Sequence, residues 1–133
     1  MKSLISSLLI IVVAIGVGYF ALSYRNEEST IAEAQVLSKG EILGLSYMRE
    51  EEKLARDVYT KLYEKWGMQI FSNIASSEQT HMDEVLAVLN KYELEDPVKS
   101  DQVGAFVDPN LAKLYQELAT RGLASIEDAL TVG

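Results

Sequence analysis

The chain has 133 residues, enough for one domain, and it carries 12 basic against 20 acidic side chains. Nucleic-acid binding requires a basic surface, so a net charge of −8 argues against a nucleic-acid partner. With no cysteine and one histidine, the sequence excludes disulfides, thiolate metal sites, iron–sulfur clusters and a three-histidine zinc site within one chain.

The amino-terminal part is an uncharged and mostly apolar run, residues 3–24, between Lys2 and Arg25. Its 22 residues are enough to cross a bilayer as a helix and exceed the apolar region of a secretory signal peptide. We interpret residues 1–25 as a transmembrane anchor, with a cleaved signal peptide as the alternative. The following domain is predicted to lie outside the cytoplasm, membrane-anchored in the first case and secreted in the second.

Residues 26–37 are polar and alanine-rich, which predicts a tether between this segment and the domain. The first helix of the domain is predicted to begin at Ser38, because Glu41 three residues later completes a capping box. It runs to Trp66, and Gly67 is a typical residue at the end of a helix.

The second helix begins within a few residues of Gly67 and reaches about Tyr92. Such a short connection predicts an antiparallel hairpin. Residues 93–107, with a proline and a glycine, are predicted to form a loop. No alternating β-branched pattern occurs, so residues 38–133 are predicted to be an all-α domain.

Two short helices are predicted to follow the loop. Asp108 and Pro109 give the third helix a cap and a first-turn proline, and Gly122 ends it. Ser125 with Asp128 caps a fourth helix, of which the sequence holds about two turns.

Both long helices carry an apolar stripe in which residues recur every three or four positions, the spacing of a packed helix face. Three polar residues interrupt these stripes: Glu52 in the first helix, and Glu78 and His81 in the second. The first stripe comprises Leu45, Met48, Glu52, Ala55, Tyr59, Leu62 and Trp66, and the second comprises Phe71, Ile74, Glu78, His81, Val85, Val88 and Tyr92.

The three polar residues are predicted to lie at one level of the hairpin. At ~1.5 Å rise per residue, Glu52, Glu78 and His81 lie about 22, 16 and 21 Å from the turn. A carboxylate is rarely buried without a partner, and a metal ion is one such partner. Taken singly, Glu52 could instead mark a slipped stripe with a core at Leu54 and Val58, and His81 could be a hydrogen-bonded core histidine.

The residues around the cluster are assigned simpler roles. Glu50 and Glu51 are predicted to be solvated, and Tyr59 to pack in the core. Arg56 is predicted either to pair with a carboxylate or to face water. Core positions without cofactor contact are Met48, Ala55, Val85 and Val88.

Two motifs carry a resemblance to known proteins. Residues 52–59 resemble the Glu-x-x-Ala-Arg-x-x-Tyr motif of rubrerythrin-type ferritin-like proteins, and residues 77–83 supply the matching Glu-x-x-His. More closely, residues 45–133 resemble the uncharacterised ferritin-like family numbered 2202 among the domains of unknown function. The stretches that carry this second resemblance are 47–59, 77–83 and 125–130.

The resemblance implies a ferritin-like antiparallel hairpin, half of a four-helix bundle, followed by short helices. It implies that Glu52, Glu78 and His81 are iron ligands, with manganese as a possible alternative metal. Any enzymatic activity would then be that of a di-iron oxidoreductase of ferroxidase or peroxidase type, with dioxygen or peroxide as a possible substrate.

The chain departs from ferritin-like bundles in one respect: it supplies one ligand set, whereas a dinuclear site uses two. Either the sequence lacks the carboxyl half of a longer domain, or two chains pair as a homodimer through the hairpin. Two chains would together provide four glutamates and two histidines.

We therefore expect an exported, membrane-tethered ferritin-like protein that binds a di-iron centre and acts in iron or peroxide handling. The alternative is a non-catalytic helical interaction module in which the metal site is vestigial or structural.

Overall fold

A computed structural model of the chain describes residues 37–132, which form one compact helical unit. Its helices are α1 (Lys39–Trp66), α2 (Gln69–Lys91), α3 (Pro109–Ala124) and α4 (Ile126–Ala129). No strand occurs within these residues, so the expected all-α class is confirmed for them. The predicted anchor, residues 1–25, and nearly all of the predicted tether lie outside the described residues.

Within residues 37–132, no helix is both long enough and apolar enough to span a membrane.

The helix ends follow the capping residues predicted from the sequence. Ser38 caps α1, accepting a hydrogen bond from the Glu41 amide while the Glu41 carboxylate accepts one from the Ser38 amide. Gly67 ends α1 in the left-handed conformation, with φ of 65°. Because α2 begins at Gln69, the two long helices form the predicted hairpin.

The carboxyl-terminal helices differ in length from the prediction. Asp108 and Ser125 cap α3 and α4 as expected. Gly122 does not end α3, which continues to Ala124: the glycine is buried, and a Cβ atom there would lie 2.6 Å from a methyl group of Leu62. A small residue is therefore required where α3 meets α1. The fourth helix is a single turn rather than two.

The apolar core lies between α1 and the carboxyl-terminal helices. Leu54, Val58 and Leu62 of α1 are fully buried, and they pack with Phe71 of α2. The rest of this core comprises Leu111, Tyr115, Ala119, Ala129 and Val132. Trp66 adds a polar link across the same boundary, since its indole nitrogen donates to the Gly122 carbonyl at 2.9 Å.

The two alternatives for the buried face of α1 are both realised. Leu54 and Val58 carry a core, and Glu52 on another side of the helix is also buried. Several residues of the predicted stripes are only half-buried, which corrects the expectation that they form the main core. These residues are Leu45, Met48, Ala55, Tyr59, Trp66, Ile74, Val88 and Tyr92.

The prediction that Glu50 and Glu51 are solvated is wrong. Glu50 is buried because residues 93–108 fold over α1, and its carboxylate accepts hydrogen bonds from the Val107 and Asp108 amides at 2.5 and 2.9 Å. Glu51 is half-buried, and this burial raises its pKa.

Candidate metal centre

The structure brings the three predicted residues together at one level of the hairpin. Glu52 comes from α1, whereas Glu78 and His81 come from α2, where a spacing of three residues places both on one face. One ligand atom from each residue lies within 4.8 Å of the other two. The convergence predicted from the two helix spacings is therefore present in the tertiary structure.

His81 lies between the two carboxylates. Its Nδ1 atom is 3.0 Å from Oε2 of Glu78 and 3.4 Å from Oε2 of Glu52. The Glu52 side chain is 2% exposed, that of Glu78 17% and that of His81 30%. The centre therefore has a buried end at Glu52 and a more exposed end at His81.

Glu52 is the unusual member of this cluster. Its Oε2 atom is buried and has no hydrogen-bond partner among residues 37–132. Burial, together with the nearby Glu78 carboxylate, raises the pKa of Glu52 to about 8. A desolvated carboxylate without a hydrogen bond is costly unless it is protonated or bound to a cation.

Apolar and aromatic side chains share the helix stripes that carry the centre. Met48, Ala55 and Val88 are half-buried along the same face of the hairpin. Tyr59 stacks on Phe71 with ring centroids 6.2 Å apart, which confirms its predicted packing role. Burial and the nearby Glu78 carboxylate raise the pKa of Tyr59.

The open question about Arg56 is settled in favour of pairing. Its guanidinium group contacts Asp57 at 2.8 Å and Asp101 at 2.7 Å, and its side chain is 12% exposed. Sequence reasoning missed the rest of this charged face, in which Arg49, Lys53 and Asp57 are also buried. The available signal was their spacing of four residues, which aligns them along one side of α1.

The donor set fits a first-row transition metal. Two carboxylates and one imidazole suit iron or manganese, and the centre contains no thiolate that would favour a softer ion. Three protein ligands leave further coordination positions open. Within residues 37–132, no other group of three metal-ligating side chains converges in this way.

Comparison with known proteins identifies a close relative. The uncharacterized protein MJ0754 of Methanocaldococcus jannaschii is 57% identical over 99 residues, which cover 74% of this chain and 54% of that protein. The crystal structure of hypothetical protein MJ0754 from Methanococcus jannaschii matches with a TM-score of 0.74 and 54% identity. That match covers 79% of this chain and 59% of the solved chain. This chain thus spans about half the length of its relative.

A family model matches most of the described domain. It corresponds to the "Uncharacterized protein domain (DUF2202)" and covers residues 41–133, a range that includes the hairpin and all three residues of the candidate centre. The family expected from the sequence motifs is thereby confirmed: this chain belongs to the DUF2202 family.

Proposed function

We propose that this domain binds iron, or manganese in its place, through Glu52, Glu78 and His81. The observation that carries the proposal is the buried Oε2 atom of Glu52, which lacks a hydrogen-bond partner and lies 3.4 Å from the imidazole of His81. A metal ion would neutralise the negative charge of this carboxylate and that of the neighbouring Glu78 together.

The proposal includes a ferritin-like architecture. In carboxylate-bridged bundles, one helix contributes a glutamate and the next contributes Glu-x-x-His, all directed inward. The hairpin of α1 and α2 carries this arrangement on a half-buried apolar face. Such a face resembles one half of a bundle interior.

A second copy of the chain is the proposed source of the missing ligands. Two hairpins related by a two-fold axis would bury their half-buried faces against each other and would combine four glutamates with two histidines. This ligand set holds two metal ions, so the expected stoichiometry is one ion per chain in a homodimer.

The proposed role is iron or peroxide handling outside the cytoplasm, with the domain anchored through residues 3–24 or secreted. A bound iron pair would supply one-electron chemistry with dioxygen or peroxide, as in a ferroxidase or peroxidase. The residues of this chain would fix the positions of the ligands, and the surrounding apolar side chains would restrict the access of water.

Metal titration of the full-length chain, purified in a mild detergent because of its apolar segment, tests metal binding. We expect Glu52→Gln, Glu78→Gln and His81→Ala each to weaken anaerobic Fe(II) or Mn(II) binding by about 10- to 100-fold. Glu64→Gln is the matched control, since it removes an exposed carboxylate of the same helix. Equal binding by all four variants and the wild type would overturn the proposal.

Oligomeric mass and metal content test the source of the second ligand set. A dimer with two ions supports pairing of hairpins. A monomer that binds two ions tightly contradicts it.

The competing function is a helical interaction module with a vestigial site, favoured by the presence of one ligand set in residues 37–132. A metal-free, stably helical protein whose partner binding is unaffected by His81→Ala would establish this alternative.

A further inference from the structure

Two arginines of α1 contact α2 immediately beside the proposed metal ligands. Arg56 donates from Nη1 to the Gln79 side chain at 2.7 Å, and Gln79 follows Glu78 in the sequence. Arg49 donates from Nη1 to the Met82 carbonyl at 3.1 Å, and Met82 follows His81. Each arginine therefore holds α2 at a point one residue from a ligand.

The arginines also flank the ligand on their own helix. Arg49 precedes Glu52 by three residues and Arg56 follows it by four, so each lies about one helical turn away on a neighbouring part of the same face. The two contacts thus tie α1 to α2 above and below the level at which the three ligands meet.

Acidic residues from the loop hold both arginines in place. Arg49 makes a bidentate contact with Asp96, in which Nε donates to Oδ1 at 3.2 Å and Nη2 donates to Oδ2 at 3.0 Å. Arg56 contacts Asp101 of the same loop at 2.7 Å, in addition to its neighbour Asp57. The Arg49 side chain is 7% exposed and that of Arg56 is 12% exposed, so both guanidinium groups are largely shielded from solvent, although Asp101 itself is 83% exposed.

The alignment of the two helices matters because metal coordination tolerates little displacement. A slide of α2 along α1 by one residue moves Glu78 and His81 by about 1.5 Å relative to Glu52. Metal–ligand bonds in such sites are roughly 2.0–2.2 Å long and fixed within about 0.2 Å. A shift of this size would remove Glu52 from the coordination sphere.

We propose that Arg49 and Arg56 are positioning residues that fix the axial alignment of α1 and α2, so that Glu52 meets Glu78 and His81 around one ion. This inference rests on the proposed metal-binding function. Neither arginine is assigned contact with the metal: each acts through the residue next to a ligand.

Arginine suits this role better than lysine. Arg56 distributes its donors among Asp57, Gln79 and Asp101, which requires a planar fork with several N–H groups. A lysine would retain the positive charge and one carboxylate partner, but a single ammonium group cannot reproduce all of these directions. Arg56→Lys and Arg49→Lys therefore remove positioning while leaving the charge unchanged.

A double-mutant cycle on the full-length chain in detergent tests the inference. In the wild-type background, we expect Arg56→Lys to weaken Mn(II) affinity by about 10-fold, the size typical of residues that orient metal ligands. In the Glu52→Gln background, the remaining ligands both come from α2, and their spacing does not depend on α1. In that background, Arg56→Lys should then change affinity less than twofold. We expect the same two results for Arg49→Lys: weaker binding in the wild-type background and little change in the Glu52→Gln background.

Two further measurements separate positioning from general destabilisation. Substitution of Co(II) reports on ligand geometry through its visible absorption, which Arg56→Lys should change at saturating metal while helicity is retained. Lys61→Gln, which breaks an exposed ion pair of α1, is the control and should alter neither spectrum nor affinity.

The outcomes distinguish this inference from the function on which it rests. If Glu52→Gln and His81→Ala weaken binding but both lysine variants bind like the wild type, the positioning role is wrong and the metal site stands. If the lysine variants lose equal affinity in both backgrounds, their effect is not alignment and the inference is also overturned. If the wild-type chain binds no metal, the proposed function and this inference fail together.

Discussion

Lys53 directly follows Glu52 in α1, yet it does not neutralise that carboxylate. Its ammonium group instead contacts Asp57 at 2.6 Å and the Gln102 carbonyl at 2.8 Å, while Oε2 of Glu52 has no hydrogen-bond partner among the described residues. Consecutive helical residues point about 100° apart, so the two side chains enter different environments. One face of α1 is an ion-pair network that includes Lys53, and the adjacent face holds Glu52, whose Oε2 atom lies 3.4 Å from Nδ1 of His81.

The raised pKa of Glu52 predicts a specific pH dependence for the metal-free protein. Its pKa is about 8 in the folded chain and near 4.5 in the unfolded chain, so between these values the folded state retains a proton that the unfolded state releases. The contribution of Glu52 to stability is therefore full below pH 4.5 and falls as pH rises to about 8.

Urea unfolding of wild type and Glu52→Gln in the presence of a chelator, from pH 5 to pH 9, measures this effect. Glutamine resembles the protonated acid, so the variant should gain stability relative to wild type as pH rises, and the gain should level off above pH 8. A stability difference that is independent of pH would contradict the raised pKa.

Metal addition should stabilise wild type more than His81→Ala, which lacks one of the proposed ligands. A ligand present at 100 times its dissociation constant stabilises the folded state by about 2.7 kcal/mol. We expect Mn(II) at such a concentration to raise the free energy of unfolding of wild type by this amount, and that of His81→Ala, which binds 10- to 100-fold more weakly, by only about 0.4–1.4 kcal/mol. The same increase in both proteins would place the bound ion elsewhere.

The buried ion pair of Lys53 and Asp57 predicts unequal effects of removing its two members. Asp57 keeps Arg56 and the Gly104 amide when Lys53 is replaced, so Lys53→Met should cost about 1–2 kcal/mol. Asp57→Asn leaves the ammonium of Lys53, which is completely buried, without an anionic partner and should cost about 3–5 kcal/mol. Chemical denaturation measures both values, and equal costs would refute the asymmetry.

Gly104 and Gly67 form a matched pair for testing how tightly the loop packs against Tyr115 of α3. Both have positive φ, 83° and 65°, so alanine introduces backbone strain of about 1 kcal/mol at either position. At Gly104, a Cβ atom would also lie 2.7 Å from the ring of Tyr115, whereas at Gly67 nothing lies within 4 Å. Thermal unfolding should show Gly104→Ala to be the more destabilising substitution by at least 1 kcal/mol; equal effects would show that the ring moves aside freely.

The candidate centre was predictable because its geometry follows from local rules. Capping residues Ser38 and Gly67 fix where α1 begins and ends, and the short turn fixes the distance of Glu52 and His81 from the bend. Helical spacing then places Glu78 and His81 on one face. Each of these steps depends on residues close together in the sequence, and the structure agrees with all of them.

The charged face of α1 was not predictable in this way. Glu50 was expected in solvent, but its partners are backbone amides 57 and 58 residues later in the chain. Gly122 likewise resembled the end of a helix, and its actual role depends on contact with Leu62.

The sequence by itself therefore determined the helices, the hairpin and the level at which the three candidate ligands meet, because capping and periodicity act over a few residues. The tertiary structure decided which of the charged side chains of α1 are buried and how Arg49 and Arg56 tie the two helices together. Those features depend on the path of residues 93–108 across α1, and a buried charge is stable only where such distant groups complete its hydrogen bonds.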